Sequence, residues 1–291
     1  MICVGTRGSA LALVQAGWVA AALERSGLEA ELVTIATAGD RGRDVGDKAR
    51  WTSALEEALL RGEIDVAVHS AKDVPGELAD GTVIVAIPER RDPRDALCGC
   101  ADLDSLPPGA RVGTSSIRRA AQIHALRDDL EVTELRGNVD TRLRKLGAGE
   151  VDALVLALAG LARLGRADAV GGVLAELVPA PGQGALIVQA RAGDERARAI
   201  NDPIAERCVL AERALARALN AGCATPLGAI AAPAPDGDLM LRAWLGLPDG
   251  SHWIEDEFTA PADLVGAAMA KRLLAAGAGE LLVRAAEMAS V

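Results

Sequence analysis

Short apolar runs alternate with amphipathic stretches along the first part of the chain. The runs at residues 2–6, 31–36, 65–69 and 82–86 predict strands, because each is short and rich in β-branched residues. Residues 9–25, between the first two runs, carry apolar side chains at helical spacing and predict a helix. Strands that alternate with helices are typical of an α/β layer with a largely parallel sheet.

A second set of strands and helices begins near Arg94 and predicts a second α/β layer. It ends at a proline and glycine cluster at residues 179–184, and we expect the strand after that cluster to return to the first sheet. The predicted strands of this part are 111–114, 131–134, 152–156 and 185–189. The predicted helices run from Ser115 or Ser116 to about Leu126, over 138–146, after residue 156, and from about Pro203 to Asn220.

The pattern changes after Cys223. Residues 228–233, 238–246 and 251–258 predict antiparallel strands, and Pro248-Asp-Gly250 predicts the turn between the last two. Two helices rich in Ala and Leu close the chain. The sequence therefore predicts a small α+β domain at the C-terminus, after two α/β layers.

The charge balance argues against a nucleic-acid partner. The net charge is −10, whereas nucleic-acid binding needs a broad basic surface. Positive charge is nevertheless concentrated locally, because seven arginines fall between Arg111 and Arg144. A basic cluster in an acidic protein indicates a pocket for a small anion.

The chain also lacks the features of a membrane or secreted protein. No apolar run has the length of a membrane span, and the first residues do not resemble a signal peptide, so we expect a cytoplasmic protein. The cysteines are odd in number and scattered, which favours free thiols over disulfides. Cys98 and Cys100 form a C-x-C pair, but with three histidines and no second pair nearby the sequence predicts no metal site.

Two arginine-rich motifs each follow a predicted strand and open a predicted helix. Helix N-termini at the carboxyl ends of parallel strands face the ligand crevice of open α/β sheets. Arginine suits carboxylates, because its planar fork binds both oxygens. We therefore expect these arginines to converge on one anion site; a solvated, salt-bridged helix surface is the alternative. They are Arg118 and Arg119 in residues 113–119, and Arg136 and Arg142 in residues 135–142.

Three further segments are candidates for chemistry. Lys72 and Asp73 follow a predicted strand. Lys72 is suited to bind a carboxylate, and Asp73 to transfer a proton or stabilise a cation; a surface ion pair is the alternative. Cys223 is either a packed thiol or, beside arginines, a nucleophile. Residues 5–9 resemble a weak phosphate- or carboxylate-binding turn. The charges of residues 91–95 indicate a structural role at a domain crossover.

Taken in order, these segments resemble the porphobilinogen deaminase (hydroxymethylbilane synthase) family over nearly the whole chain. The matching motifs are GTRGSALALVQ at 5–15, DVAVHSAKDVP at 65–75, RDPRDAL at 91–97, VGTSSIRRAAQ at 112–122, LRGNVDTRLRKL at 135–146, LALAGLARLG at 156–165, PAPGQGAL at 179–186 and AERALARALNAGCATPLGA at 211–229.

The resemblance implies two domains like those of type II periplasmic binding proteins, plus a small C-terminal α+β domain. Their implied limits are 1–90 with about 184–201, 91–183, and 202–291. It also implies a monomeric transferase of tetrapyrrole (haem) biosynthesis that joins four porphobilinogen molecules head to tail, with loss of ammonia. The implied cofactor is a dipyrromethane held through a thioether to Cys223.

The resemblance also assigns roles to individual residues. Asp73 is the implied catalytic carboxylate. The implied cofactor contacts are Cys223, Lys72, Asp73, Ser116, Arg118, Arg119 and Arg136. The implied substrate contacts are Arg7, Ser9, Gln15, Arg142 and Arg163, and the implied lid residues are Lys48 and Trp51.

The chain departs from the family pattern in two places. The glycine-rich, charged segment 37–50 predicts a loop and a possible lid, but residues 48–55 place Trp51 where phenylalanine is usual and Ser53 where lysine is usual. Gln189 stands where glutamate is common. Two alternatives stay open: a two-lobed anion-binding module without catalysis, which needs neither Cys223 nor Asp73, and an enzyme impaired by its altered lid.

Overall fold

A computed structural model describes residues 1–37, 49–222 and 225–289; of residues 49–51 and 289 it describes the backbone only. The chain divides into two compact units. The first comprises Met1–Arg91 with Gly184–Leu210, and the second comprises Asp92–Gln183 with Ala211–Val291.

The chain enters the first unit, crosses to the second, returns and crosses again. The first passage contains β1 (Ile2–Thr6), α1 (Ala10–Arg25), β2 (Ala30–Thr34), α2 (Ala49–Leu60), β3 (Val66–Ser70) and β4 (Thr82–Ala86). The second contains β5 (Asp95–Cys98), β6 (Arg111–Gly113), α3 (Ile117–Leu126), β7 (Glu131–Thr133), α4 (Val139–Gly147), β8 (Ala153–Ala157), α5 (Leu158–Arg163) and β9 (Gly172–Leu174). The remainder contains β10 (Leu186–Arg191), α6 (Pro203–Ala218), β11 (Leu227–Pro233), β12 (Leu239–Gly246), β13 (Trp253–Ala260), α7 (Val265–Ala275) and α8 (Ala278–Ala289).

The first unit is built on a five-stranded sheet in the order β2-β1-β3-β10-β4. All strands are parallel except β10, which pairs antiparallel with β3 and β4. The expected return of this strand to the first sheet is confirmed. Helix α1 buries Val19 and Leu23 against the sheet, and α2 buries Leu55 and Leu59 with Ala67 of β3. Both helices form because their apolar positions recur at the spacing that one covered face requires.

The second unit repeats this strand order in its own sheet, β7-β6-β8-β5-β9. Here β5 is the antiparallel strand. The sequence did not predict β5 or β9, because both are short and β5 begins with a buried acidic residue, Asp95. It was also wrong at residues 49 and 50, which belong to α2 rather than to a loop; residues 38–48 lie outside the described part.

The C-terminal part of the second unit is a three-stranded antiparallel sheet, β11-β12-β13, packed against α7 and α8. Trp244 of β12 shares a buried cluster with Ala121 of α3 and Val178, so this sheet packs on the α/β part of its unit. Gly250, in the predicted turn, has φ +70° and lies so close to α3 that a Cβ there would be 2.5 Å from the Ala125 nitrogen. The α/β class with a small C-terminal α+β part is therefore confirmed.

The limits of the three predicted domains stay a prediction, because the second unit contains both the second sheet and the C-terminal sheet. The structure joins none of the four cysteines in the described ranges, Cys3, Cys98, Cys100 and Cys208, in a disulfide with another of them. Over the same ranges no helix has the length and apolar character needed to cross a membrane, and no group of His, Cys, Asp or Glu is placed to hold a metal ion.

Candidate active site

In the first unit, predicted site residues follow β1 and β3 at the same edge of the sheet. The two strands are adjacent and parallel, so their carboxyl ends lie together. Arg7 and Ser9 follow β1, and the Ser9 hydroxyl caps α1 by accepting from the Ala12 backbone N–H at 3.3 Å. Lys72 and Asp73 lie in a short 3-10 helix directly after β3.

The end of β3 is supported from the α1 side by Gln15, one of the residues that the resemblance implies as a substrate contact. This side chain is buried, and its Nε2 donates to the Ser70 hydroxyl at 2.8 Å. The same hydroxyl lies 3.2 Å from Gln15 Oε1. Because Ser70 is the last residue of β3, Gln15 fixes the point from which the Lys72–Asp73 turn starts.

Asp73 is half-buried, and its carboxylate forms no hydrogen bond or ion pair with any residue in the described ranges. The alternative of a surface ion pair is therefore not what the structure shows for this carboxylate. A half-buried carboxylate that has no partner among the described residues, at the carboxyl end of a strand, is suited to contact a ligand.

In the second unit, the arginine motifs follow β6 and β7, which are also parallel neighbours. Ser116 caps α3 by accepting from the Arg119 backbone N–H at 3.4 Å, and Asn138 caps α4 by accepting from Thr141 at 2.9 Å. Both motifs therefore have the strand–turn–helix geometry that the sequence predicted. Arg163 ends α5, the helix that follows β8, the parallel neighbour of β6 on its other side.

Arg118 and Arg119 are buried around one carboxylate, that of Asp95 in β5. Arg118 Nη2 lies 2.8 Å from Asp95 Oδ2, and Arg119 donates to Oδ1 from Nε at 3.0 Å and Nη2 at 2.7 Å. Gln183 Nε2 adds a fourth bond to Oδ1 at 2.7 Å. Burial alone would raise the pKa of Asp95, but the charges of Arg119 and Arg118 hold it well below its usual range.

Arg118 and Arg119 also form hydrogen bonds with backbone carbonyl groups of the protein. Arg118 also donates to the Val178 carbonyl at 2.8 Å, and Arg119 to the Val155 carbonyl at 3.1 Å. Burial lowers the pKa of Arg118, and its buried Nε has no hydrogen-bond partner within the described residues. Two guanidinium groups around one carboxylate leave a net positive charge in the interior, which a further anion would neutralise.

Arg142 is the cation that links the two motifs. It is half-buried, and it donates from Nη2 to the Ser115 hydroxyl at 2.8 Å and from Nε to the Gly137 carbonyl at 2.8 Å. No carboxylate of the described ranges pairs with it. Burial and the nearby charge of Arg119 lower its pKa. Arg119 therefore lies near both Arg118, with which it shares Asp95, and Arg142, whereas the convergence of the arginines on one anion site stays a prediction.

The other predicted site residues are placed differently. Arg136 is 74% exposed, with its Nε 2.7 Å from Glu134 Oε1, and Arg163 is half-buried. Lys48 and Cys223 lie outside the described residues, as does the side chain of Trp51. The sequence missed Asp95 as the shared counterion; its signal was an acidic residue opening an apolar run, DALC.

Each unit is thus an α/β layer whose predicted site residues lie at the carboxyl ends of parallel strands, the place where open α/β sheets bind ligands. Two family models match the sequence: "Porphobilinogen deaminase, dipyromethane cofactor binding domain" over residues 2–199 and "Porphobilinogen deaminase, C-terminal domain" over residues 206–275. The chain belongs to the porphobilinogen deaminase family.

Full-length relatives carry the same name. The porphobilinogen deaminase of Thermus thermophilus is 46% identical and covers 98% of this chain and 99% of its own. That of Rubrobacter xylanophilus is 48% identical, over 97% of this chain and 96% of its own. A periplasmic substrate-binding protein from Coxiella burnetii overlaps 73% of this chain and 95% of its own at 19% identity, with a TM-score of 0.42.

Proposed function

We propose that this protein is a hydroxymethylbilane synthase of tetrapyrrole (haem) biosynthesis. It joins four porphobilinogen molecules head to tail, releases ammonia at each step, and frees the linear tetrapyrrole with water. Membership of the family supports this reaction. The observation in the structure that carries it is a set of buried and half-buried cations in the second unit: Arg118 and Arg119, which share the Asp95 carboxylate, and Arg142, which donates to the Ser115 hydroxyl.

These residues fit a dipyrromethane cofactor. Each of its pyrroles bears carboxylate side chains, and the second unit offers an internal positive excess, the buried Nε of Arg118, and Arg142 without a carboxylate partner in the described ranges. Arginine is suited to these groups, since its fork binds both carboxylate oxygens. When bound, the dipyrromethane supplies the pyrrole position at which the chain is extended.

We propose that Cys223 anchors this cofactor through a thioether. In the sequence this residue follows α6 and precedes β11. Its described neighbours are joined to each other, because the Gly222 N–H donates to the Thr225 hydroxyl at 3.1 Å. A covalent anchor keeps the growing product in place between successive additions, which spares the cost of rebinding.

Asp73 is the proposed catalytic carboxylate. Loss of ammonia leaves the substrate pyrrole as a cation, and a preorganised carboxylate stabilises that developing charge. Asp73 suits this role, because it is held after β3 and has no competing partner among the residues described. The same oxygen atoms accept hydrogen bonds from pyrrole N–H groups and shuttle the proton released when each new bond forms.

The remaining predicted residues are proposed to hold carboxylates of the substrate and the lengthening chain. Lys72 and Arg136 are proposed for the cofactor, and Lys48 and Trp51 for closure over the substrate. Ser9 and Ser116 already cap helices, so their hydroxyls lie beside backbone N–H groups that suit anions. The proposed substrate contacts are Arg7, Ser9, Gln15, Arg142 and Arg163. We further propose a cytoplasmic monomer without nucleic-acid or membrane partners.

The test compares Asp73→Ala with Asp80→Ala, an exposed carboxylate shortly after it in the chain. Both variants and the wild type are incubated with porphobilinogen, and ammonia and linear tetrapyrrole are measured together. We expect four ammonia molecules per tetrapyrrole in the wild type and in Asp80→Ala, and nearly complete loss of turnover in Asp73→Ala. Near-normal turnover in Asp73→Ala would show that another group does this chemistry. A wild type that binds porphobilinogen without releasing ammonia would favour a binding module.

A further inference from the structure

Gln189 lies at the centre of a buried hydrogen-bond network in the first unit. Its side chain is fully buried in β10, and its Nε2 donates to Glu56 Oε1 of α2 at 2.9 Å and to the Thr82 hydroxyl of β4 at 2.7 Å. Its Oε1 lies 3.1 Å from Nε2 of His69 in β3. One carboxamide thereby joins three secondary-structure elements at buried polar groups.

The network fixes the direction of each hydrogen bond. Glu56 Oε1 accepts a further bond from the Ala79 backbone N–H at 3.1 Å, and the Thr82 hydroxyl donates to the Ala79 carbonyl at 2.7 Å. Both partners of the Gln189 NH₂ group are therefore acceptors, so its carbonyl oxygen must face His69. His69 Nε2 then carries the proton. Burial, together with the charge of Arg7, lowers the pKa of His69 to about 4, which keeps the ring neutral.

His69 and Ser70 are the last two residues of β3, and their side chains point to opposite faces of the sheet. Gln189 holds His69 from one face, while Gln15 holds Ser70 from the other. The turn that carries Lys72 and Asp73 begins at the next residue. The strand end that presents Asp73 is thus clamped on both sides by a buried glutamine.

We propose that Gln189 is a positioning residue for Asp73. This inference rests on the proposed function, in which Asp73 is the catalytic carboxylate. Through His69, the Gln189 carboxamide fixes the end of β3 and hence the place of the Asp73 carboxylate. An amide is the group that fits, because it donates to Glu56 and accepts from His69 at once. An apolar side chain leaves both unpaired, and a carboxylate sets two acids beside each other.

The first variant is Gln189→Met, which keeps the volume and removes both hydrogen-bonding functions. Its control is Val188→Ala, a neighbour in β10 that packs in the apolar core on the other face and does not contact the network. The kcat and KM for porphobilinogen are measured well below the unfolding temperature of each variant. We expect kcat to fall at least about tenfold in Gln189→Met with KM nearly unchanged, because a displaced catalytic group slows the reaction step. Val188→Ala should keep both constants.

The second variant, Gln189→Glu, separates positioning from simple packing. The ionisable groups facing residue 189 are Glu56 of α2 and His69 of β3, with the charge of Arg7 acting on His69. A carboxylic acid at 189 reproduces the amide pattern only while the pair with Glu56 shares a proton. We therefore expect its pH profile of kcat to contain an ionisation that the wild-type profile lacks.

The outcomes distinguish a failure of the positioning role of Gln189 from a failure of the proposed function. Equal kcat in Gln189→Met and Val188→Ala, or identical pH profiles for Gln189→Glu and the wild type, would overturn the positioning role and leave the proposed function intact. A wild type without turnover would overturn the proposed function and this inference with it. The nitrogen chemical shifts of His69 give a readout independent of turnover: a single Nε2–H tautomer is expected in the wild type, and retention of that tautomer in Gln189→Met would count against the role.

Discussion

Replacing Asp95 by alanine removes the shared counterion of two buried arginines. The Asp95 side chain is fully buried, and those of Arg118 and Arg119 are 5% and 6% exposed. The ion-pair distances are 2.8 Å and 2.7 Å. Without the carboxylate, two like charges face each other out of reach of water. We therefore expect Asp95→Ala to be among the most destabilising single changes in the second unit.

The magnitude follows from burial. Deleting one partner of a buried, hydrogen-bonded ion pair costs about 3–5 kcal/mol, because the remaining charge keeps its desolvation penalty without its attraction. Asp92 provides the matched control in the same segment. It pairs with Arg94, but the side chains are 33% and 50% exposed, and such pairs contribute about 0–1 kcal/mol. Asp95→Ala should therefore cost several times more than Asp92→Ala.

The assay is urea denaturation at neutral pH, with the free energy of unfolding compared between Asp95→Ala, Asp92→Ala and the wild type. The pH dependence of the free energy of unfolding provides a second test. The pKa of Asp95 is held below its usual range, so its stabilising contribution is complete above the unfolded value of 3.8 and is lost as the pH falls towards the lower folded value. Equal losses of stability in the two variants would refute the claim that Asp95 is a buried counterion.

Three further predictions concern other parts of the molecule. The titration of His69 should remove about 3 kcal/mol of stability as pH falls from 6.5 to about 4, because folded His69 resists the proton that the unfolded chain takes up. The free energy of unfolding should therefore change less over this pH range in His69→Gln than in the wild type, and an equal change would contradict the prediction. Arg142→Ala should raise the KM for porphobilinogen at least about tenfold, whereas Arg144→Ala on the same helix should not, and equal constants would remove Arg142 from the site. Gly250→Ala should lower stability by about 1–3 kcal/mol, since it is left-handed and packed on α3. Gly237→Ala, left-handed but in open space, should cost less in thermal melts; an equal loss would show that the contact with α3 adds nothing.

The elements that sequence alone predicted well are those whose signals are local. Short apolar runs predicted the strands of the first sheet. Capping residues such as Ser116 and Asn138 predicted where helices begin. The missed strands depend on distant residues. Buried Asp95 is tolerated in β5 because arginines more than twenty positions later neutralise it. In β9, a Cβ at Gly172 would collide with the Ala101 carbonyl, a contact that no local pattern reveals.

The same distinction holds within the candidate site. The arginine motifs were recognisable because residue type, strand and helix start coincide in one short segment. The motifs did not show that Arg118 and Arg119 are bound to a shared carboxylate while Arg142 is bound to neutral groups, since that depends on β5. Gln189 had no sequence explanation, because its partners lie more than one hundred positions earlier in the chain.

The intact mass of the purified protein shows whether Cys223 carries a dipyrromethane. The wild type, produced with porphobilinogen available, is compared with Cys223→Ser and with Cys208→Ser, which alters a buried thiol elsewhere in the chain. We expect the mass to exceed that of the sequence by one two-pyrrole unit in the wild type and in Cys208→Ser, and to equal the sequence mass in Cys223→Ser. An unmodified wild type, or an adduct that persists in Cys223→Ser, would contradict it.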